Sequence, residues 1–281
     1  MRKDSPSGIM IFSSIVALVC AFGLSLTAVS LKTQQDKNVA IDRQKNVLKA
    51  LGVLAELEKD GAKPTGDDIV AYFKANVTKV IVDSHGTVYE MSANESSKLD
   101  FAKQKKAYLV AIADKEEAEK IKDTDKKASA KAAAQSSADV CRFPVYQVEK
   151  DGKVTGIAIP VVGKGLWSTL KGYFALDSDL ITVTGITFYE EKETPGLGAE
   201  IRKAWFQENF EGKKIYDPNG KLTPIFVVKG KAVDKATSDE DLTHKVDGIA
   251  GATITCAGIN KMLVEDLGIF EPYLRRWRRP N

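Results

Sequence analysis

Histidine and cysteine are scarce in this chain. Its 281 residues hold two histidines, His85 and His244, and three cysteines, Cys20, Cys141 and Cys256. No CxxC, HxxxH or HExxH spacing occurs, which argues against an all-protein zinc or iron–sulfur centre. A surplus of one charge sign is missing too. The 41 basic and 38 acidic side chains leave +3, so there is no electrostatic footprint for nucleic acid. There is no GxGxxG fingerprint, and with it no Rossmann dinucleotide site. The odd cysteine count leaves a Cys141–Cys256 disulfide open in an oxidising compartment.

Charge is also absent from "GIMIFSSIVALVCAFGLSLTAVSL", residues 8–31. As a helix this stretch reaches roughly 36 Å, enough for a hydrocarbon layer of about 30 Å. Its apolar run is longer than a signal-peptide core of about 7–15 residues, so a retained single span is expected. Residues 1–7 are then a short segment ahead of the span. Arg2 and Lys3 on one side and Lys32 and Lys37 on the other give little orientation by charge.

What is present after the span is patterned. Val39, Ile41, Val47, Leu48, Leu51, Leu54 and Leu57 recur at helical spacing, which predicts a stalk helix over 33–60. A short helix is expected at 66–76 and two short strands around His85-Gly86. Residues 102–138 are rich in Lys, Glu, Asp and Ala and read as a solvated helix or flexible insertion. The region 32–140 is thus stalk plus an α/β segment. A β-rich domain is expected over 141–270, with a hairpin turn at Lys150-Asp151-Gly152-Lys153. A second strand pair is expected over 172–191 with Gly185 at a bulge, and a strand over 223–230. Helices are expected at about 197–210 and 254–267, and a basic tail over 271–281. The fold class is α+β: antiparallel strands with helices gathered to one side.

The chemistry concentrates near "VDGIAGATITCAGIN", residues 246–260. Gly251 and Ala252 carry little bulk, so a ligand can approach the backbone. Thr253 follows at the start of a helix, whose free N–H groups favour an anion such as phosphate. Asp247 stands ready to orient a cation or the hydroxyl. An N-cap threonine after a glycine turn is the plain alternative. Three other stretches support a site. "GKGLWSTLKGYFAL" sets Trp167 in a glycine-bounded turn. "EKETPGLGAE" displays Thr194 and Leu197 in a tight loop. "VVKG" puts Lys229 at a strand end, where its charge suits a phosphate.

Together these stretches, with "NVAIDRQ" at 38–44, resemble the family of C subunits of the sodium-translocating NADH:quinone oxidoreductase, whose members carry an FMN-binding domain. The resemblance implies FMN joined to Thr253 through a phosphoester, installed by a flavin transferase that uses FAD and magnesium. Ala250 stands where the family pattern usually has Ser or Thr. The resemblance further implies that Trp167 and Leu197 pack near the flavin ring, and that Glu193, Thr194 and Gly198 shape the loop around it. Gly251, Ala252 and Asp247 complete the attachment motif, while Lys229 and Thr255 help hold the phosphate or ribityl chain. The chain is then an electron carrier in a bacterial inner-membrane complex of six subunits, with its main domain in the periplasm. NADH oxidation and sodium passage are expected on other subunits, since one span without an ionisable group offers no ion route. Two alternatives stand beside this: the G-type flavoprotein subunit of the related Rnf complex, and a membrane-anchored binding module without redox activity.

Overall fold

The computed structural model describes residues 6–57 and 62–278. Predicted features at 1–5, at 58–60 of the stalk and at 279–281 of the tail lie outside the described residues. The chain forms two compact units, Met1–Arg43 and Gln44–Asn281.

The helix α1, Pro6–Ala50, joins the predicted span and stalk without a break. Pro6 opens it, where a missing N–H costs nothing. Its apolar stretch is bare, with Phe22 and Leu24 each 72% exposed. Three hydroxyls there are satisfied within the helix: Ser13 donates to Ile9 O at 2.8 Å, Thr27 to Gly23 O at 3.0 Å and Ser30 to Thr27 O at 3.0 Å. Such self-sufficiency is what a lipid environment demands. Past Gln44 the helix buries Val47, Leu48 and Ala50. It stops at Gly52, whose φ of +73° is a helix-ending conformation open to glycine.

Helix α2 (Gly66–Asn76) starts at a Thr65/Asp68 capping box. Strands β1 (Val77–Val82) and β2 (Val88–Tyr89) follow, then a short helix α3 (Ala93–Ser97). The charged stretch forms α4 (Phe101–Glu119) and α5 (Thr124–Asp139), each begun by an aspartate N-cap, Asp100 and Asp123. Strands β3 (Phe143–Lys150), β4 (Lys153–Lys164), β5 (Thr169–Asp177) and β6 (Val183–Glu190) come next. Beyond them lie α6 (Ala204–Gln207), β7 (Phe226–Val227), α7 (Asp239–Leu242), β8 (Lys245–Val246) and α8 (Thr253–Arg278).

Six strands make one antiparallel sheet in the order β2-β1-β3-β4-β5-β6. β1 pairs along its length with β3, so one sheet is built from both sides of residue 140. Asp151 and Gly152, with φ of 51° and 71°, turn β3 into β4 as an Asp-Gly hairpin should. The register between β5 and β6 slips at Ala175/Leu176, opposite Gly185 and Val183, which is the expected bulge.

Alternation along β4 sends Ile157, Ile159 and Val161 into a core with α8, and Ala158 to the other face. There Ala158, Tyr173 and Ala175 meet Val47, Ala50 and Leu51. Both faces are therefore covered, which corrects the expectation that helices gather on one side. The charged stretch is not merely solvated either. Phe101 stacks on Phe270 with ring centroids 5.6 Å apart, and Lys105 lies buried 2.8 Å from Asp266.

Three further expectations change. The helix at 197–210 is broken into 3-10 turns at Gly198–Arg202 and Glu208–Phe210 around α6. The strand at 223–230 shrinks to β7, which pairs in parallel with β8. The tail from 271 is helical to Arg278, because Tyr273 and Leu274 still have core to bury.

Candidate functional site

Thr253 is the first residue of α8 and is exposed. The opening N–H groups of a helix lack intrahelical partners, so the hydroxyl sits beside ready hydrogen-bond donors. Gly251 precedes it with φ +74°. A Cβ there would lie 2.7 Å from Leu197 Cδ2, so the "ETPGLG" loop rests directly on the "GAT" segment.

The loop after β6 folds back by hydrogen bonds from Leu197 N and Ala199 N to Thr194 O, at 3.1 and 3.2 Å. Thr194 and Leu197 stay exposed and Gly198 is buried. A Cβ at Gly198 would lie 2.7 Å from Thr255 Oγ1 and 2.9 Å from Glu193 Oε2, so glycine is what lets loop and helix close.

Glu193 ties the site together. Its Oε1 accepts from Trp167 N at 3.0 Å, Ser168 N at 3.0 Å and Ser168 Oγ at 3.1 Å. Its Oε2 accepts from Leu166 N at 3.1 Å and Thr255 Oγ1 at 2.8 Å. Burial pushes this carboxyl's pKa up, but Thr255 and the three backbone amides outweigh it and hold the group below its usual value. The anion thus clamps the Trp167 turn, the loop and α8. Trp167 itself is 71% exposed, its backbone held and its ring presented outward.

A cavity of about 680 Å³ opens beside Thr253. Val228, Lys229, Gly230 and Lys231 line one side, and Ile249, Ala250 and Gly251 another. Gly248 makes this possible: a Cβ there would sit 2.0 Å from Val228 O. Asn260, one of the residues sequence reasoning missed, pins the wall. Its Oδ1 accepts from Val227 N at 2.7 Å and its Nδ2 donates to Val227 O at 3.0 Å. A buried asparagine seven residues along the helix from Thr253 was its signal. Ser168 was missed as well.

Two expected roles change. Thr255 does not face the cavity: it is 2% exposed and its hydroxyl is given to Glu193. Asp247 braces the 230–232 loop, accepting from Ala232 N and Lys231 Nζ, each at 2.7 Å. Burial raises its pKa, but those two bonds together with the charges of Lys231 and Lys213 outweigh it and hold the group below its usual value. Lys229 is exposed and lines the cavity. Cys141 and Cys256 are buried free thiols, so the disulfide left open by sequence is not formed. No group of His, Cys, Asp and Glu suited to a metal occurs among the described residues.

The FMN-binding domain family matches residues 165–267, the span from the Trp167 turn through α8's first half. The C subunit of the Na(+)-translocating NADH-quinone reductase of Haemophilus ducreyi is 34% identical over 99% of this chain and 96% of its own length. Its Pseudomonas aeruginosa counterpart is 32% identical over 99% of this chain and 98% of its own. Among solved structures, the crystal structure of the same protein from Parabacteroides distasonis is similar at a TM-score of 0.62 and 25% identity, covering 89% of this chain and 98% of that one. The chain belongs to the family of C subunits of the Na(+)-translocating NADH-quinone reductases.

Proposed function

We propose that this chain carries FMN on Thr253 through a phosphoester and passes electrons within a sodium-pumping NADH:quinone oxidoreductase. The observation that carries the reading is an exposed threonine at the first position of α8, on the wall of a large cavity. The residues present suit the group. About 680 Å³ falls within the roughly 300–1,000 Å³ of cofactor sites. The helix start offers N–H donors to a phosphate, and Lys229 adds positive charge at the cavity edge. Gly251 and Ala252 leave room for close approach. Leu197, packed against Gly251, offers an apolar flank, and Glu193 fixes the backbone of the Trp167 turn beside that loop.

When bound, FMN supplies the redox chemistry, which is the cofactor's own. The protein places it, and a covalent tether keeps it on a domain outside the cytoplasm, where lost flavin is not readily replaced. A flavin transferase using FAD and magnesium makes the attachment. In this reading α1 spans the inner membrane with its N-terminus cytoplasmic and the main domain periplasmic. In a complex of six subunits, the others take the NADH, quinone and sodium steps.

The test is in-gel flavin fluorescence after SDS denaturation, on chain co-expressed with its transferase. The wild-type band is expected to fluoresce and the Thr253→Ala band to be dark, with both proteins folded. A dark wild-type band beside a fluorescent control substrate of the same transferase overturns the covalent reading. A fluorescent Thr253→Ala band overturns the assignment of the residue.

A further inference from the structure

α8 has a second side. Ile254, Lys261, Val264 and Gly268 lie along one flank of it and are all exposed, whereas Ala257 lines the cavity beside Thr253. Ile254 and Val264 are 58% and 55% exposed. The solvent side of a helix normally carries charged and polar groups, and this one carries a single charge.

α4 lies against the same helix through the Phe101–Phe270 stack and the Lys105–Asp266 pair. It adds exposed Val110. A groove of about 460 Å³ lies between α4, the end of β4 and α8, lined by Leu109, Val110, Ala113, Val162 and Met262. Lys106, Lys164 and Lys261 also line it, all three exposed. The acid at this edge, Glu265, is engaged by Lys105 at 2.9 Å and Lys261 at 3.7 Å. What the groove shows outward is an apolar floor with a basic rim.

We propose that the α4–α8 face docks an amphipathic helical segment of another subunit in the complex, one whose apolar ridge is flanked by acidic side chains. The dimensions suit a helix. From Ile254 to Gly268 the stripe runs about 21 Å, roughly four turns. Gly268 is small enough to let a second backbone approach. The charges suit an acidic partner, because opposed charges steer association and set register. A lipid surface calls for a dense basic cluster, whereas these lysines stand around an apolar groove. The proposal rests on membership of a multi-subunit family and not on flavin attachment.

The experiment places a benzophenone amino acid at Val110 or Val264 in the assembled, detergent-purified complex, with Val233 as an exposed site off this face. Irradiation is expected to join Val110 and Val264, but not Val233, to one segment of another subunit, with Asp or Glu beside its apolar positions. Lys106→Glu with Lys164→Glu is expected to cut that yield about tenfold. Lys106→Gln with Lys164→Gln gives a smaller cut at unchanged melting temperature, which separates lost docking from lost folding. Adducts only with lipid or with a second copy of this chain, no adduct, a neutral or basic partner segment, or a yield indifferent to both lysine variants would each overturn the proposal.

Discussion

Replacing Glu193 by glutamine removes the anion that joins three segments while hardly changing shape. The carboxylate accepts five hydrogen bonds, three from backbone amides and two from hydroxyls. Glutamine keeps one oxygen and puts an NH₂ where the other stood. With its oxygen toward Trp167 and Ser168, the NH₂ meets the Leu166 N–H, donor against donor. The Thr255 hydroxyl can rotate and accept, so that contact survives. The loss is one part-buried amide left unsatisfied, at about 1–3 kcal/mol, plus the charge assistance on the remaining bonds. The total is about 2–4 kcal/mol, or roughly 4–16 °C in melting temperature for a unit of this size. The sign with pH follows from the depressed pKa of Glu193. Its contribution is fully present above the ordinary glutamate value of about 4.3 and fades as pH falls through the lower folded value. The wild-type advantage over Glu193→Gln is therefore steady from neutral pH to about 5 and narrows below about 4. Differential scanning fluorimetry of the purified chain across that range reads both effects. A variant melting within about 1 °C of wild type at pH 7, or a gap that does not narrow in acid, would show that the carboxylate is not the clamp described.

Gly248→Ala should cost about 3 kcal/mol or more, because its Cβ meets a backbone oxygen at 2.0 Å. Denaturant melts should show the loss, together with weaker protection of the Val228 and Gly248 amides from hydrogen exchange. Burial raises the Asp266 pKa to about 7 against the pull of Lys105 and the Val162 amide. A carboxyl raised in this way costs stability as pH climbs from about 4 to 7, so Asp266→Asn should flatten that slope in urea melts.

The repeating parts of this fold are legible in the sequence. Alternation marks β3 to β6, and Asp151-Gly152 marks their first turn, because half-buried strands and positive φ leave local signatures. The site is partly legible. Thr253, Gly251 and Gly198 stand out because small residues and a tight loop are visible locally, whereas Glu193 enters only through the family resemblance, and the partners of Glu193 and Asp247 are not visible at all. Glu193 finds Thr255 62 residues away, and nothing at either position announces the other. The insertion misleads for a related reason. Lys105 reads as a solvent charge until Asp266, on a helix far along the chain, draws it into the interior. β7 shrinks to two residues because Asn260 and the parallel β8 hold it only there.

Two threonines sit two positions apart at the start of α8, and their surroundings divide them. Thr253 is exposed beside the cavity, while Thr255 is 2% exposed with its proton committed to Glu193. If attachment takes place on the folded domain, a transferase can reach the first hydroxyl and not the second. Selectivity would then come from the half-turn of helix between them as much as from the letters of the motif. Thr255→Val separates the two roles. It removes one charge-assisted bond, at about 1.5–3 kcal/mol, yet leaves the acceptor in place. The variant should melt lower and still give a fluorescent band after SDS. Thr253→Ala should stay dark although Thr255 remains in the chain. A dark Thr255→Val band from protein shown to be folded would mean that the buried hydroxyl takes part in attachment, and accessibility would not explain the choice.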